Sequence, residues 1–202
     1  MTARAARRQA PWPAVHRFRS AEGVAMAKVL PGDFYVTRPP ELITTLLGSC
    51  VAACLRDPKL GLGGLNHFML PESPGAGGWQ QQGRYGAFAM ELLINELLKQ
   101  GASRERLEVK IFGGGDIGGY RAHIGAQNVA FIRKYVALEG LNVTSWDVGG
   151  QAARKVIFHV GTGRVQVQKL AMDRIEQELQ QEHIYRKTLN RAPHDGTVEL
   201  FE

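Results

Sequence analysis

Cysteine is scarce in this chain: Cys50 and Cys54 are the only two in 202 residues. Two thiols four positions apart on one prospective strand cannot build a disulfide framework, so a reducing compartment is expected and Cys54 reads as a small buried hydrophobe. Long apolar runs are missing too. No stretch of about 18 apolar residues could span a bilayer. The N-terminus lacks the apolar segment of about 7 to 15 residues that marks a secretory signal. The chain therefore reads as cytoplasmic, with no membrane insertion. Acid is absent from the first twenty residues, which hold Arg4, Arg7, Arg8, Arg17 and Arg19. These five account for most of the formal charge of +6, leaving a nearly neutral body. A basic patch on the folded domain is therefore not supported, and no nucleic-acid partner is expected. Arginines without acids also suit a transit peptide, but Pro11-Trp12-Pro13 interrupts any continuous amphipathic helix. Residues 1–27 are read as a basic disordered tail. The other histidines, His16, His123, His159, His183 and His194, show no metal-ligand spacing with the cysteines, so neither metal nor cofactor is expected.

What is present supports one globular domain with tails, at 44% hydrophobic residues. Phe34-Tyr35-Val36 has strand composition before the Pro39-Pro40 stop, and Leu42 to Leu47 is the next apolar run. Residues 71–83, rich in Gly, Pro, Gln and Ser, read as an exposed loop. From Tyr85 onward, Met90, Leu93, Ile94, Leu97 and Leu98 follow the spacing of an amphipathic helix that Gly101 terminates. A strand over 107–112 breaks at Gly113-Gly114-Gly115. A second helix is expected over 125–138. Runs over 141–148, 155–160 and 164–169 read as strands, the last two as a hairpin. Residues 171–202 are read as a charged helix and polar tail beyond a domain spanning 28–170. Strands and helices interleaved with hairpins imply an α/β fold with a mixed sheet packed on helices.

The chemistry concentrates between Gly48 and His67. Two strand-like flanks enclose Pro58-Lys59, and a hairpin closing there pairs Asp57 with Leu60 and sets Cys50 opposite His67. Directly opposed residues on one face have Cβ atoms about 5 Å apart. At that spacing an imidazole can take the proton of a thiol and leave the nucleophilic thiolate. Cys50 and His67 are therefore candidate catalytic residues for acyl transfer. A hydroxyl would orient the ring; Thr44 is the candidate, with Thr45 as its competitor. Backbone N–H groups around Gly48, Ser49 and Cys50 would serve a developing oxyanion. Gly113, Gly115 and Gly118 match a dinucleotide fingerprint in spacing alone, and a tight turn near the active-site rim is the preferred reading.

The blocks Thr44-Thr45-Leu46-Leu47-Gly48-Ser49-Cys50-Val51 and Gly64-Leu65-Asn66-His67-Phe68-Met69-Leu70-Pro71 resemble CheD, the chemoreceptor glutamine deamidases of bacterial chemotaxis. Lys110-Ile111-Phe112-Gly113-Gly114-Gly115, Ile124-Gly125 with Asn128, and Asp147-Val148-Gly149-Gly150 with Arg154-Lys155-Val156 continue the likeness in order. Ala153 departs from it where a glycine is expected. The resemblance implies a single-domain α/β sandwich similar to glutamine-deamidating toxin domains. It also implies conversion of receptor glutamines to glutamate by a Cys, His and Thr that map to Cys50, His67 and Thr44. The partners it implies are methyl-accepting chemotaxis receptors and a CheC-type phosphatase. The rival expectation is a non-catalytic module that regulates such a phosphatase, and a second enzymatic one is transglutamination.

Overall fold

A computed structural model describes residues 15–70, 78–117, 122–170, 180 and 184, without the side chains of 78–84 and 122. Ten strands and two long helices follow in order: β1 (His16–Arg19), β2 (Ala25–Lys28), β3 (Phe34–Thr37), β4 (Leu42–Leu47), β5 (Val51–Asp57), β6 (Leu62–Phe68), α1 (Gly78–Lys99), β7 (Glu108–Gly113), α2 (Ala122–Leu138), β8 (Asn142–Val148), β9 (Ala153–His159) and β10 (Arg164–Leu170). They form two mixed sheets. One runs β1-β2-β4-β9-β10 and the other β3-β6-β5-β7-β8.

Strand β5 fixes how the layers stack. Its residues Val51, Ala53 and Leu55 pack with Met90, Leu93, Ile94 and Leu97 of α1 and with Ile132 and Val136 of α2. The alternate residues Ala52 and Cys54 face Ile43 and Leu47 of β4 and Val156 and Phe158 of β9. The order of layers is therefore helices, central sheet, second sheet. A strand buried on both faces has no solvent side on which polar residues could alternate, which is why Val51 to Leu55 reads as one apolar run. Each fully buried Leu or Ile in these clusters contributes roughly 1.5–3 kcal/mol.

Three boundaries differ from the sequence expectation. The segment 1–27 is not wholly a tail: β2 pairs in parallel with β4, Met26 against Leu42, and β1 pairs with β2. His-Arg-Phe-Arg and Ala-Met-Ala-Lys carry little strand propensity, and pairing to β4 supplies what composition does not. Arg17, read as tail, donates to Tyr35 Oη at 2.6 Å and lies 3.4 Å from Glu41. Helix α1 begins at Gly78, inside the segment read as loop, while residues 71–77 lie outside the described part. The C-terminal helix and the nucleotide-like Gly118 also fall outside it.

The hairpin register is the third correction. Asp57 pairs with Leu62, so the ladder sets Ala52 opposite His67, two residues from the expected pairing. A two-residue hairpin turn needs positive φ at a central position, which the proline ring of Pro58 forbids. The chain instead uses four linking residues and places Gly61 at φ +58° before β6. A shift of two, unlike a shift of one, leaves every side chain on its expected face.

Asp57 anchors that turn. Its Oδ1 accepts the Lys59 N–H at 3.0 Å, and its Oδ2 accepts the Ser103 N–H at 3.1 Å and Arg106 Nη2 at 2.6 Å. The Arg106 hydrogen bond, opposed by desolvation, holds the carboxyl down at about 2, below its ordinary 3.8. A depressed carboxylate pKa contributes stability above about pH 4 and loses it as pH falls through about 2. Asp57→Asn should cost about 2 kcal/mol by denaturant unfolding at pH 7, and the difference from wild type should shrink towards pH 2. An undiminished gap at low pH would contradict the ionic role.

Candidate active site

Cys50 and His67 both enter the layer between the sheets. His67 lies on the β6 face shared with Leu65, towards the second sheet, and Cys50 belongs to the same inter-sheet cluster as Ala52, Met69 and Phe112. Cys50 precedes the ladder, which sets Ala52 opposite His67, so the direct opposition expected from the sequence is not formed. Both are closed off from solvent, Cys50 at 0% and His67 at 1% exposure.

The hydroxyl on the ring is Thr45, not Thr44. Thr45 Oγ1 lies 2.8 Å from His67 Nδ1, whereas Thr44 Oγ1 donates to the Val156 carbonyl at 2.8 Å, across the β4–β9 seam. Consecutive residues on a strand face opposite ways, so only one of the two threonines can point inward. Ile43 and Leu47 point inward, and Thr45 shares their parity.

This contact fixes the tautomer. Thr45 Oγ1 donates its single proton to the Val29 carbonyl at 2.8 Å, so towards Nδ1 it can only accept. Nδ1 therefore carries the hydrogen and Nε2 a lone pair. Nε2 is buried and has no hydrogen-bond partner among the described residues. Burial, the dominant cause, pulls the imidazole pKa down to about 3, with the charge of Lys28 adding to the shift and the Val29 carbonyl opposing it. At neutral pH the ring is thus a neutral base presenting a bare nitrogen.

Cys50 lies on the bend before β5, and the glycine run wraps it. The Gly114 N–H donates to the Cys50 carbonyl at 2.6 Å and the Gly115 N–H to the Gly48 carbonyl at 2.9 Å. A Cβ on Gly113, at φ +108°, would stand 2.2 Å from the Cys50 oxygen, so only glycine fits there. The tight turn expected at Gly113-Gly114-Gly115 is therefore a brace for the cysteine bend. Behind it, Gly149 N–H donates to the Gly113 carbonyl and Asp116 N–H to the Gly150 carbonyl. Arg154, 3% exposed, holds that second turn through Asp147 at 2.9 Å and the Gly149 carbonyl at 2.6 Å. Ala153, the departure from the family pattern, opens β9 fully buried and without strain.

Two neighbours were not visible as site residues in the sequence. Tyr85 on α1 is close enough to Cys50 and Asp33 that their charges add to the burial pushing its phenol up. Asp33 has its carboxyl raised by burial to about 6. Its backbone carbonyl accepts the His67 N–H at 2.9 Å, while Gly32 N–H donates to the His67 carbonyl at 2.7 Å, pinning β6 at the ring. Burial pushes the Cys54 thiol up, in keeping with a packing role. No group of three or more His, Cys, Asp or Glu among the described residues could hold a metal ion. No helix among them is long and apolar enough to cross a membrane.

A buried thiol, a neutral imidazole and a hydroxyl on its ring lie in the layer between the two sheets, on the side of the central sheet away from the helices. A family model described as CheD chemotactic sensory transduction matches residues 69–169. A probable chemoreceptor glutamine deamidase CheD of Hydrogenovibrio crunogenus is 45% identical over 184 residues, covering 90% of this chain and 96% of the relative. Its namesake in Hahella chejuensis is 41% identical over 196 residues, covering 95% and 93%. That of Methylobacillus flagellatus is 48% identical over 180 residues, covering 87% and 89%. The chain belongs to the CheD family.

Proposed function

We propose that this protein is a cytoplasmic glutamine deamidase that converts glutamine side chains of methyl-accepting chemotaxis receptors to glutamate through a thioester on Cys50. The names of its relatives support the reaction and the receptor as substrate. The single observation that best supports the chemistry is the bare Nε2 of a ring whose other nitrogen is tied to Thr45.

In this reading Nε2 takes the Cys50 proton and the sulfur attacks the carboxamide carbon. The tetrahedral adduct collapses by breaking the C–N bond, and Nε2–H returns its proton to the leaving nitrogen as ammonia departs. Nε2 then deprotonates a water that attacks the thioester carbon. The C–S bond breaks, the thiol recovers its proton, and glutamate remains. Thr45 keeps the ring in the productive tautomer throughout. Because both reacting groups are buried, the glutamine side chain must be delivered into the layer between the sheets, where low polarity strengthens the thiolate's attack.

The test is incubation with a cytoplasmic receptor fragment, followed by peptide mass analysis. Deamidation adds about 1 Da at the modified glutamine, whereas resolution by an amine adds the mass of that amine. A fragment unchanged in mass would overturn the enzymatic reading and favour a binding module. A CheC-type phosphatase is the second partner of the proposal. Added to the same incubation, it should slow deamidation by competing for the receptor site.

A further inference from the structure

The bend that carries Cys50 has three carbonyls, and each is held by a donor from outside the bend. Gly115 N–H holds the Gly48 oxygen, Gly114 N–H holds the Cys50 oxygen, and Asn128 Nδ2 donates to the Ser49 oxygen at 2.8 Å. The first two donors are backbone groups, and the middle one is a side chain from α2. Asn128 is 0% exposed, and its Oδ1 accepts the Leu70 N–H at 2.8 Å just after β6. A carbonyl can only accept and an N–H can only donate, so these partners settle which end of the amide is which. The approach of α2 is close enough that a Cβ on Gly125 would stand 2.7 Å from the carbonyls of Gly114 and Gly115.

Clamping a carbonyl also aims an N–H. The C=O and N–H of a trans peptide point in opposite directions, and the only cis bond among the described residues is Pro39-Pro40. The Ser49 oxygen points at α2, so the Cys50 N–H points away from it. We propose that Asn128 is a positioning residue for deamidation: by holding the Ser49 carbonyl it sets the Ser49–Cys50 peptide so that the Cys50 N–H donates to the oxyanion formed on the attacked carboxamide. The proposal rests on Cys50 being the nucleophile, because only then does the oxyanion form beside this peptide. Donors fixed before the reaction stabilise developing charge without reorganising, which is where such groups have their largest effect. Without the Asn128 donor the peptide plane is free to turn towards some other partner for its carbonyl, and the aim is lost.

Two variants test this. Asn128→Ala removes both hydrogen bonds, while Asn128→Asp keeps an acceptor for Leu70 and loses the donor to Ser49. With a cytoplasmic receptor fragment as substrate, each folded variant should lose about 10- to 100-fold in kcat, with KM within about twofold of wild type. A merely structural asparagine would lower the unfolding midpoint and leave kcat per folded molecule unchanged. That result, or a loss confined to KM, overturns the proposal. If neither variant can be purified folded, Asn128 is a residue the fold requires and the proposal fails as well. Cys50→Ala measured alongside separates the two readings: if it still deamidates, the nucleophile assignment falls and this proposal with it, whereas normal kcat in folded Asn128→Ala removes this proposal alone.

Discussion

Cys50→Ala should abolish deamidation of a receptor fragment, lowering the rate by about four orders of magnitude or more, while the unfolding midpoint stays close to that of wild type. The size follows from the route. Without the sulfur no thioester forms, and what remains is whatever water attack the oriented imidazole and backbone donors support. Stability is little affected because Cys50→Ala deletes one heavy atom from a cluster that also holds Leu47, Met69 and Phe112. Loss of about 1 kcal/mol is the scale for such a deletion. Peptide mass analysis reads the activity, and binding of the unmodified fragment should persist. Wild-type turnover by Cys50→Ala would remove the thioester mechanism altogether.

His67→Gln should lower the deamidation rate by about 10³- to 10⁴-fold, because the proton of the thiol and the proton of departing ammonia both pass through Nε2. Thr45→Val, which keeps the shape and removes the hydroxyl, should lose less, about 10- to 100-fold, and Thr44→Val should cost little in rate, since its hydroxyl serves the Val156 carbonyl. A larger loss at Thr44 than at Thr45 would reverse the assignment of the orienting hydroxyl. The stability of His67→Gln carries its own signature in pH. The imidazole pKa is about 3 in the folded chain against the ordinary 6.5, so between those values the unfolded chain binds more protons. Stability contributed by the neutral ring is therefore present above about pH 6.5 and declines as pH falls towards 3. Asp33, raised to about 6, works in the opposite sense, losing stability as pH rises between about 4 and 6. Comparing unfolding midpoints of His67→Gln and wild type across pH 4 to 7 isolates the ring, because Asp33 is common to both. The two curves should converge as pH falls; parallel curves would show that the ring is not buried in its neutral form.

The candidate pair is legible in the sequence because Cys50 immediately precedes the hairpin that carries His67, where turn and ladder set the approximate relation of the two. A tight turn at Pro58-Lys59 implies a register two residues from that of the structure, and proline at that position argues for a longer loop. A shift of two keeps parity, and with it the face on which each side chain lies. The orienting threonine was harder to identify. Leu42 to Leu47 has apolar residues at both parities, and nothing local tells which face of β4 meets β6. Only the pairing of β4 with β9 and the stacking of two sheets decide it, and both are long-range facts. Strands β1 and β2 have no local signature for a related reason, since Ala25-Met26-Ala27-Lys28 becomes a strand by lying against β4. Asn128 stands inside a recognisable block, but a single asparagine in a helix gives no hint that its amide will reach the Ser49 carbonyl on the cysteine bend.

The double-sided burial of β5 has a cost and a benefit for the living enzyme. Oxidation of a cysteine to sulfenic acid and beyond follows its access to the oxidant. The Cys50 sulfur, buried beside a strand with helices on one side and a second sheet on the other, has little access to peroxide or electrophiles in solution. Under the proposed mechanism the resting sulfur is shielded, and substrate engagement has to open that shield before any chemistry can begin.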